Sequence, residues 1–431
     1  MAEQHQNIVW KYADSDMAAG SAEVIRTLHD HGYEAYWVGG CVRDEYMGRQ
    51  VSDMDITTSA LPEVTCSIFP RVIPTGIKHG TVTVLVNGQS FEVTTYRIES
   101  GYEDHRRPAQ VVFVSEVEED LRRRDFTMNA MALGIGGSWV DPYDGRRDID
   151  LRIIRCVGDA TVRFREDALR MIRCIRFASI FGFSIAKDTW KGILAVRDTL
   201  PWIAIERIRA ELDKMMAGPD PLRGLGLLKK SGLYTRMKIP FPYAMKDPVI
   251  INAIPAMDSS HLDIRWAMLI LGFDIPGSEA EKLLREWTFS NQRKAMISGL
   301  LSFQEAWFSG ERGNDIEADR LLWIQLVLKH GAKTAESWLC MHEAVNTTGK
   351  QHIDQNSLVQ ARRWLEEMPV QSLKDLTLTG NEILQALNRR GGPWMGKVLQ
   401  QLLFQTAAGL FPNERDRLIE EAKQVIEHEE E

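Results

Sequence analysis

The chain has 431 residues, of which 44% are hydrophobic and 26% charged, a composition typical of a globular protein with more than one structural unit. It contains no apolar run of about 18 residues, which argues against a membrane-spanning helix, and no signal-like segment near its start. The five cysteines are scattered without a C-x-x-C pair, which argues against structural zinc or a disulfide framework and predicts a cytoplasmic protein.

The net charge of −8 differs from that of most proteins that bind nucleic acid through a basic surface. The charge is unevenly distributed, however. Residues 146–176 contain nine arginines, five carboxylates and no lysine, whereas acidic residues gather near the end of the chain. A local basic patch on an acidic protein is therefore compatible with this sequence.

The first 140 residues or so mix strand and helix patterns. Apolar residues at helical spacing predict a helix over residues 21–31, which ends before Gly32. A strand is predicted over residues 35–38, and it leads into a turn at Gly39 and Gly40. A further short strand is predicted at residues 131–135.

A β-hairpin is the clearest local prediction in this region. Two β-branched runs, residues 81–86 and 90–97, are joined through Asn87 and Gly88. Both of these residues tolerate the positive φ that tight hairpin turns require.

From about residue 152 onward the strand patterns fade and helical periodicity replaces them. Residues 264–271 and 317–328 are predicted to form helices with broad buried faces. Breaks between helices are predicted at residues 218–221, 240–242 and 310–314. The predicted fold class is therefore α+β, with a small N-terminal head that contains a β-sheet and helices, followed by an all-helical remainder.

Asp53-Met54-Asp55 is the first candidate site. In a strand, residues two apart point to the same face, so both carboxylates would project together while Met54 turns into the core. Two converging carboxylates suit Mg²⁺, a cation that prefers oxygen ligands and is commonly shared with substrate phosphates. Taken alone, this pattern is also typical of a solvated turn.

Two neighbouring features of the sequence favour the metal interpretation. The turn at Gly39 and Gly40 is followed by Arg43, and such a turn allows close approach of a phosphate that arginine can neutralise. Glu92 lies within a β-branched strand, where it is either an edge-strand charge or a third carboxylate of the metal site.

A second candidate site lies in residues 165–177, which are predicted to form one helix. Asp167 and Arg170 are three residues apart and would be neighbours, either as a surface salt bridge or as a pair that reads base edges. Cytosine and adenine both present an amino donor beside a ring-nitrogen acceptor, so an Asp–Arg pair could accept both bases and reject uracil and guanine. Arg173 and Arg176 continue the series.

With these motifs, the sequence resembles the class II tRNA nucleotidyltransferases and bacterial poly(A) polymerases, and most closely the bacterial CCA-adding members. The resemblance rests on seven ordered motifs: VGGCVRD (38–44), SDMDITT (52–58), GIKHGT (76–81), FEVTTYR (91–97), RRRDFTMNA (122–130), DPYDG (141–145) and REDALR (165–170). It implies four domains, namely a nucleotidyltransferase head (1–150), a helical neck that recognises the base (151–217), a helical body (218–330) and a helical tail that binds tRNA (331–431).

The resemblance also implies roles for individual residues. Asp53 and Asp55 would bind Mg²⁺, with Glu92 as a third catalytic carboxylate. The nucleotide would be bound by a larger set, in which Asp167 and Arg170 read the base: Gly40, Arg43, Arg124, Asp167, Arg170, Arg173 and Arg176. Residues 99–110, including Asp104, Arg106 and Arg107, would form a flexible loop associated with addition of the last A. Residues 378–384 and 391–397 would touch the tRNA, with Pro393 at the first position of a helix.

The function implied is template-independent addition of CCA to the 3′ end of tRNA from CTP and ATP, with release of pyrophosphate and with Mg²⁺ as cofactor. The expected partners are tRNA and the two nucleotides, with neither DNA nor membrane. Three alternatives stay open: a poly(A) polymerase, an enzyme that adds only part of CCA, and a non-catalytic RNA-binding protein. Residues Ala168 and Leu169 are more typical of the CCA-adding group, the completeness of segment 99–110 argues against CC-only addition, and the intact acidic residues argue against a non-catalytic protein.

Overall fold

The computed structural model describes residues 8–103, 107–241, 246–310, 315–350 and 352–430. The chain divides into two compact units, Met1–Pro242 and Tyr243–Glu431. The predicted α+β class is confirmed, since a mixed sheet in the N-terminal region is followed by helices. The finer division into four domains stays a prediction.

The first unit is built around a mixed β-sheet. Its strands are β1 (Ala35–Val38), β2 (Ile56–Thr58), β3 (Val72–Gly76), β4 (Thr81–Val86), β5 (Gln89–Thr95), β6 (Arg97–Glu103), β7 (Arg107–Phe113), β8 (Ala132–Leu133), β9 (Trp139–Val140), β10 (Ile153–Ile154) and β11 (Ser184–Ile185). Within the described residues, seven of these strands form one sheet in the order β3-β4-β5-β2-β1-β8-β9. The β2–β5 pair is parallel and the other neighbours in this sheet are antiparallel.

The helices of the first unit are α1 (Ser15–Asp30), α2 (Gly40–Tyr46), α3 (Pro62–Ile68), α4 (Val117–Arg122), α5 (Gly145–Asp150), α6 (Ala160–Glu166), α7 (Leu169–Phe181), α8 (Lys187–Val196), α9 (Ile205–Met216) and α10 (Pro221–Ser231). Helix α1 begins six residues before the predicted start, because the Asp14 carboxylate accepts hydrogen bonds from the backbone N–H groups of Asp16 and Met17.

The predicted hairpin is confirmed. Strands β4 and β5 are antiparallel, and the turn residues Asn87 and Gly88 have φ of 51° and 78°. Phe91 and Val93 on β5 are buried, whereas Glu92 between them is exposed. The alternation in the sequence therefore matches the buried and exposed faces of this strand.

The prediction that Asp53-Met54-Asp55 lies within a strand is wrong, because β2 begins only at Ile56. The segment is nevertheless tied to the sheet, since the carbonyl of Asp55 accepts a hydrogen bond of 3.0 Å from the backbone N–H of Val38. Met54 turns into the core as predicted, and its sulfur accepts a hydrogen bond of 3.3 Å from the hydroxyl of Ser21.

The predicted loop at residues 99–110 lies largely in two paired strands instead. Strands β6 and β7 form a separate antiparallel two-stranded sheet in which Ile98 pairs with Val112 and Ser100 with Gln110. Ile98 in β6 and the adjacent Val111 and Val112 in β7 are β-branched residues, which favour strands. Asp104 and Arg106 lie outside the described residues, and Arg107 begins β7.

The second unit is helical throughout its described residues. Its helices are α11 (Pro248–Ala253), α12 (Leu262–Gly272), α13 (Gly277–Glu286), α14 (Asn291–Ser309), α15 (Ile316–His330), α16 (Ala332–Asn346), α17 (Gln355–Glu367), α18 (Gly380–Ala386), α19 (Trp394–Ala407) and α20 (Arg415–Glu430). Helices α12 and α15 confirm the two helices predicted here. Pro393 is the capping residue of α19, one position earlier than predicted.

The core of this second unit is rich in tryptophan. Trp323 and Trp338 are fully buried beside Phe303, and their ring centroids lie 5.3–5.6 Å apart in tilted or edge-to-face arrangements. In the described part of the chain, no helix is both long and apolar enough to cross a membrane.

Candidate active site

The turn that follows β1 brings a glycine and an arginine to one end of the sheet. Gly39 has φ of 76°, and a Cβ added there would lie 2.7 Å from Nη1 of Arg124. Glycine is therefore required both by the backbone conformation and by the close approach of this arginine. Helix α2 starts at the next residue, Gly40, and carries Arg43.

Arg43 is held in place before any ligand binds. Its Nε and Nη2 donate to the carboxylate of Asp44 at 3.0 and 2.8 Å, and its Nη1 donates to the side-chain oxygen of Asn129. The guanidinium carbon also lies 5.3 Å from the ring centre of Phe177 and 5.0 Å from that of Phe181. Arg43 is therefore a preorganised cation rather than a freely moving surface side chain.

Asp53 and Asp55 face the same space from the segment before β2. Asp53 is exposed and Asp55 is partly buried. Burial, then the negative charge of Asp53, and then that of Glu92 raise the pKa of Asp55 to about 6, against the opposing effect of Arg124. Two carboxylates that repel each other in this way form a donor set that a divalent cation would stabilise.

Glu92 is in a different position from these two residues. Its side chain is exposed on β5, opposite Thr83, and it acts on Asp55 through its charge without lining the cavity described below. Among the described residues, no three acidic, histidine or cysteine side chains lie close enough together to hold a metal ion. The catalytic role implied for Glu92 stays a prediction, and the effect of its charge on Asp55 is the observation that bears on it.

A buried carboxylate on α4 holds two arginines that follow this helix. Asp120 is fully buried and accepts from Arg123 at 2.8 Å, while Nη2 of Arg124 lies 3.5 Å from it. Burial would raise the pKa of Asp120, but the charges of Arg123, Arg124 and Arg97 outweigh it and lower the pKa. Asp120 is therefore a fixed counter-ion that positions Arg124 beside the glycine turn.

Residues 165–177 do not form one helix, so that prediction is wrong. Helix α6 ends at Glu166, Asp167 has an extended backbone with φ of −138° and ψ of 104°, and α7 starts at Leu169. The break is stabilised by the Asp167 carboxylate, whose Oδ1 accepts a hydrogen bond of 3.0 Å from the N–H of Leu169. Asp167 therefore leaves the helical surface and faces a space shared with Arg170.

Arg170 is anchored on several sides. Its Nη1 donates to Glu166 at 2.8 Å, and its Nη2 donates to the backbone carbonyl of Arg123 at 2.9 Å. These contacts fix the guanidinium plane. A side chain must be fixed in this way if its donors are to match the edge of a base.

Arg173 and Arg176 continue along α7 and are each paired with a buried carboxylate. Arg173 contacts Asp125 at 2.7 Å, and Nε of Arg176 donates to Glu211 on α9. Burial alone would raise the pKa of Asp125, but Arg173, Asn129 and Arg170 outweigh it and lower the pKa to about 2. These pairs connect α7 to the residues after α4 and to α9.

These side chains line one cavity of about 660 Å³ in the first unit. Nine residues predicted from the sequence meet there: Gly40, Arg43, Asp53, Asp55, Arg124, Asp167, Arg170, Arg173 and Arg176. Glu92 is the one predicted residue that does not line it. The sequence interpretation missed other lining residues, among them Arg123, Asp125, Asn129, Arg207, Glu211 and Lys214. Arg123, Asp125 and Asn129 lie within the RRRDFTMNA motif. Arg207, Glu211 and Lys214 lie on α9, where no sequence motif marked them as site residues.

Three family profiles match successive parts of the chain. The poly A polymerase head domain matches residues 35–155, a domain described as the probable RNA and SrmB-binding site of polymerase A matches 182–242, and a domain described as tRNA nucleotidyltransferase domain 2, putative, matches 260–422. An enzyme that transfers a nucleotidyl group is the class that this fold and site define.

Two curated relatives make the family specific. The CCA-adding enzymes of Geobacillus thermodenitrificans and Bacillus cereus are 38% and 39% identical to this chain, over 92% and 93% of it and 94% and 96% of their own lengths. A crystal structure of the Bacillus stearothermophilus CCA-adding enzyme in complex with CTP has a TM-score of 0.80 at 33% identity, covering 97% of this chain and 99% of that one. The chain therefore belongs to the CCA-adding enzymes, a family of tRNA nucleotidyltransferases.

Proposed function

We propose that this chain adds the full CCA sequence to the 3′ end of tRNA, using CTP and ATP bound one at a time in the cavity of the first unit. The observation that carries this assignment is that both acidic residues of the D-x-D motif line the same cavity as Asp167 and Arg170. The residues assigned to the triphosphate and those assigned to the base thereby share one cavity. The relationship to CCA-adding enzymes supports the same reaction.

Family membership implies a divalent metal ion, and we assign Mg²⁺ to Asp53 and Asp55. The donor set fits this ion, because Mg²⁺ is usually bound by one or two protein carboxylates together with substrate phosphates and water. When bound, Mg²⁺ would supply charge neutralisation at the triphosphate and at the attacking hydroxyl. Burial and then the negative charge of Asp53 raise the pKa of Asp55, and a bound cation would counter both effects.

The side chains of the chain itself would bind and orient the nucleotide. Phosphoryl transfer depends mainly on positioning and charge stabilisation, with little covalent help from the protein. Arg43 and Arg124 would neutralise the triphosphate beside the Gly39 turn, and Arg173 and Arg176 would support the nucleotide from α7. Each of these arginines is held by another side chain, so little reorganisation is needed when the substrate arrives.

Base selection would rest on Asp167 and Arg170. The carboxylate accepts a hydrogen bond from an exocyclic amino group, and the guanidinium donates to the adjacent ring nitrogen. Cytosine and adenine offer this arrangement, whereas uracil and guanine place a carbonyl where the carboxylate needs a donor. One protein site could therefore accept CTP and ATP without a nucleic-acid template. The cytoplasmic location of the reaction stays a prediction from the scattered cysteines.

The decisive experiment uses three tRNA substrates that end before CCA, after C and after CC. Each is incubated with Mg²⁺ and with CTP, ATP, UTP or GTP, and the products are sequenced. We expect C, C and A to be added in turn. Repeated A addition would instead indicate a poly(A) polymerase, and extension of only one or two of the three substrates would indicate a partial activity.

The metal assignment is tested by Asp53→Asn. The control is Asp188→Asn, the same substitution at an exposed position of the first unit that does not line the cavity. Loss of a metal ligand should reduce turnover by about a hundredfold or more, since charge stabilisation of the transition state supplies much of the catalysis. Normal CTP incorporation by Asp53→Asn would contradict the assignment.

A further inference from the structure

The two carboxylate oxygens of Asp167 have separate partners. Oδ1 accepts a hydrogen bond of 3.0 Å from the backbone N–H of Leu169, which fixes it to the start of α7. Oδ2 lies 3.4 Å from Nη2 of Arg207, which comes from α9, forty residues further along the chain. The carboxylate plane is therefore fixed at both ends.

Arg207 lines the same cavity as the carboxylate it contacts. Its side chain is 32% exposed and that of Asp167 is 18% exposed, so the pair lies at the edge of the cavity rather than in open solvent. Among the residues that the structure describes, no acceptor is within hydrogen-bonding distance of the buried Nη1 of Arg207. The contact with Asp167 ties α9 to the break between α6 and α7 at the wall of this cavity.

We propose that Arg207 is a specificity-determining residue that acts by positioning Asp167, an inference that rests on the proposed base-reading role of Asp167. Rotation about the terminal torsion of an aspartate is only weakly restricted by its own geometry. Arg207 removes this freedom, so that Oδ2 keeps one direction in which it can accept from an amino group. A base that presents a carbonyl at this place then meets a fixed negative oxygen and is rejected.

Without Arg207, the carboxylate would keep its bond to Leu169 but could turn away from a carbonyl oxygen. UTP and GTP would then be rejected less strongly. CTP and ATP would still bind, although less precisely oriented. Arg207 therefore affects the choice between nucleotides more than it affects the rate with the correct one.

The test measures kcat/KM for CTP and UTP on tRNA that ends before CCA, and for ATP and GTP on tRNA that ends after CC. In Arg207→Met we expect the CTP-to-UTP and ATP-to-GTP ratios to fall by about tenfold, the scale expected when a hydrogen-bonded recognition group is loosened. Each ratio is measured within one preparation, so it is unaffected by the folded fraction. Arg207→Lys retains the charge without the planar fork and should have intermediate ratios.

Arg209→Met is the matched control. Arg209 lies on the same helix and pairs with Asp213 at 3.0 Å, but it does not line the cavity. Its nucleotide ratios should equal those of the unchanged protein. Equal ratios in Arg207→Met, or an equal fall in Arg209→Met, would overturn the proposal.

Asp167→Ala separates this inference from the function on which it rests. If Asp167→Ala loses discrimination against UTP and GTP and Arg207→Met does not, the role proposed for Arg207 is wrong. The base-reading role of Asp167 then stands. If Asp167→Ala keeps its discrimination, the base-reading role fails and the inference fails with it. In the double variant, Arg207→Met should add no further loss to Asp167→Ala, because it acts through that carboxylate. A further loss would contradict that route of action.

Discussion

Asp125 is a single residue whose ionisation should contribute measurably to folding. Its pKa is lowered to about 2 in the folded protein from an ordinary value of 3.8, because Arg173 and Asn129 outweigh the effect of burial. A lowered carboxyl pKa stabilises the fold at pH values above the unfolded pKa, and this stabilisation is lost as the pH falls through the folded pKa. The shift corresponds to about 2 kcal/mol at neutral pH.

We therefore expect Asp125→Asn to lower the stability of the first unit by about 2 kcal/mol at pH 7. The difference from the unchanged protein should be constant between about pH 7 and 5 and should shrink as the pH falls from 4 towards 2. Urea unfolding across this range measures it, with the exposed Asp188→Asn as control. A difference that stays the same down to the lowest measurable pH would show that the charge of Asp125 is not responsible.

Phe177 is a residue whose ring should matter for nucleotide binding. Its centroid lies 4.0 Å from the guanidinium of Arg176, 5.3 Å from that of Arg43 and 5.4 Å from that of Arg173. The ring is 3% exposed and attracts all three cations, which would otherwise repel one another. Phe177→Leu should raise KM for CTP and ATP by about five- to thirtyfold, if the cation–π contacts together contribute about 1–2 kcal/mol.

Phe164→Leu is the control for Phe177, because Phe164 is equally buried and lies on the neighbouring helix α6, outside the cavity. Both variants should lose stability through a similar cavity in the core. Only Phe177→Leu should change KM, and Phe177→Tyr should restore it. Equal KM values in the two leucine variants would assign Phe177 to packing alone.

The individual site residues could be predicted from the sequence where they lie in short motifs with a fixed local geometry. Asp53, Asp55 and Arg43 are of this kind. Arg207 and Glu211 were missed because they reach the cavity as partners of Asp167 and Arg176, which are 40 and 35 residues away in the sequence. Spacing along one helix does not reveal such partners.

The turn between β1 and α2 is the element that brings together Arg43 and Arg124, the proposed phosphate-binding groups, and Gly39 is its most constrained position. Alanine would be strained there by about 1–3 kcal/mol, since φ is 76°, and its Cβ would meet Nη1 of Arg124 at 2.7 Å. We expect Gly39→Ala to displace Arg124 and to reduce kcat/KM for CTP by about tenfold or more, in line with the sensitivity of catalysis to small misplacements.

Gly88→Ala is a matched control for backbone strain. Gly88 has φ of 78° in the turn between β4 and β5, and an added Cβ would have no atom within 4 Å. Thermal unfolding should show comparable destabilisation of the two variants, whereas nucleotide incorporation should fall only in Gly39→Ala. A comparable fall in both variants would indicate that the loss reflects general destabilisation.

Elements were predictable where one local rule dominated, and less so where two rules competed. Asn87 and Gly88 both favour the positive φ of a tight turn, and no other local preference competes with it. The hairpin that they predict is present. Residues 165–177 keep helical spacing throughout, yet the chain breaks at Asp167. Its carboxylate accepts a hydrogen bond from the N–H of Leu169, the first residue of α7, and periodicity does not reveal this local alternative. The strands β6 and β7 were missed because the family resemblance implied a flexible loop over residues 99–110.

At the scale of the whole molecule, the division at residue 242 makes a prediction about which functions can be separated. Every residue that lines the proposed nucleotide cavity belongs to the first unit, and that unit has its own buried core around the sheet. The second unit has a separate core of tryptophan and phenylalanine. The helical body and tail predicted from the sequence, with their tRNA contacts, would lie mainly in this second unit.

We therefore expect a protein truncated after residue 242 to fold and to bind CTP with a Kd within about threefold of the full chain, because no cavity contact is removed. Its addition of C to tRNA should fall by more than about a hundredfold, since the loss of an RNA-binding surface removes several kcal/mol of binding energy. Titration calorimetry with CTP and a tRNA extension assay measure the two quantities on the same preparation. Near-normal extension would show that the tRNA contacts lie within the first unit, and loss of CTP binding by a folded fragment would show that the cavity needs residues beyond 242.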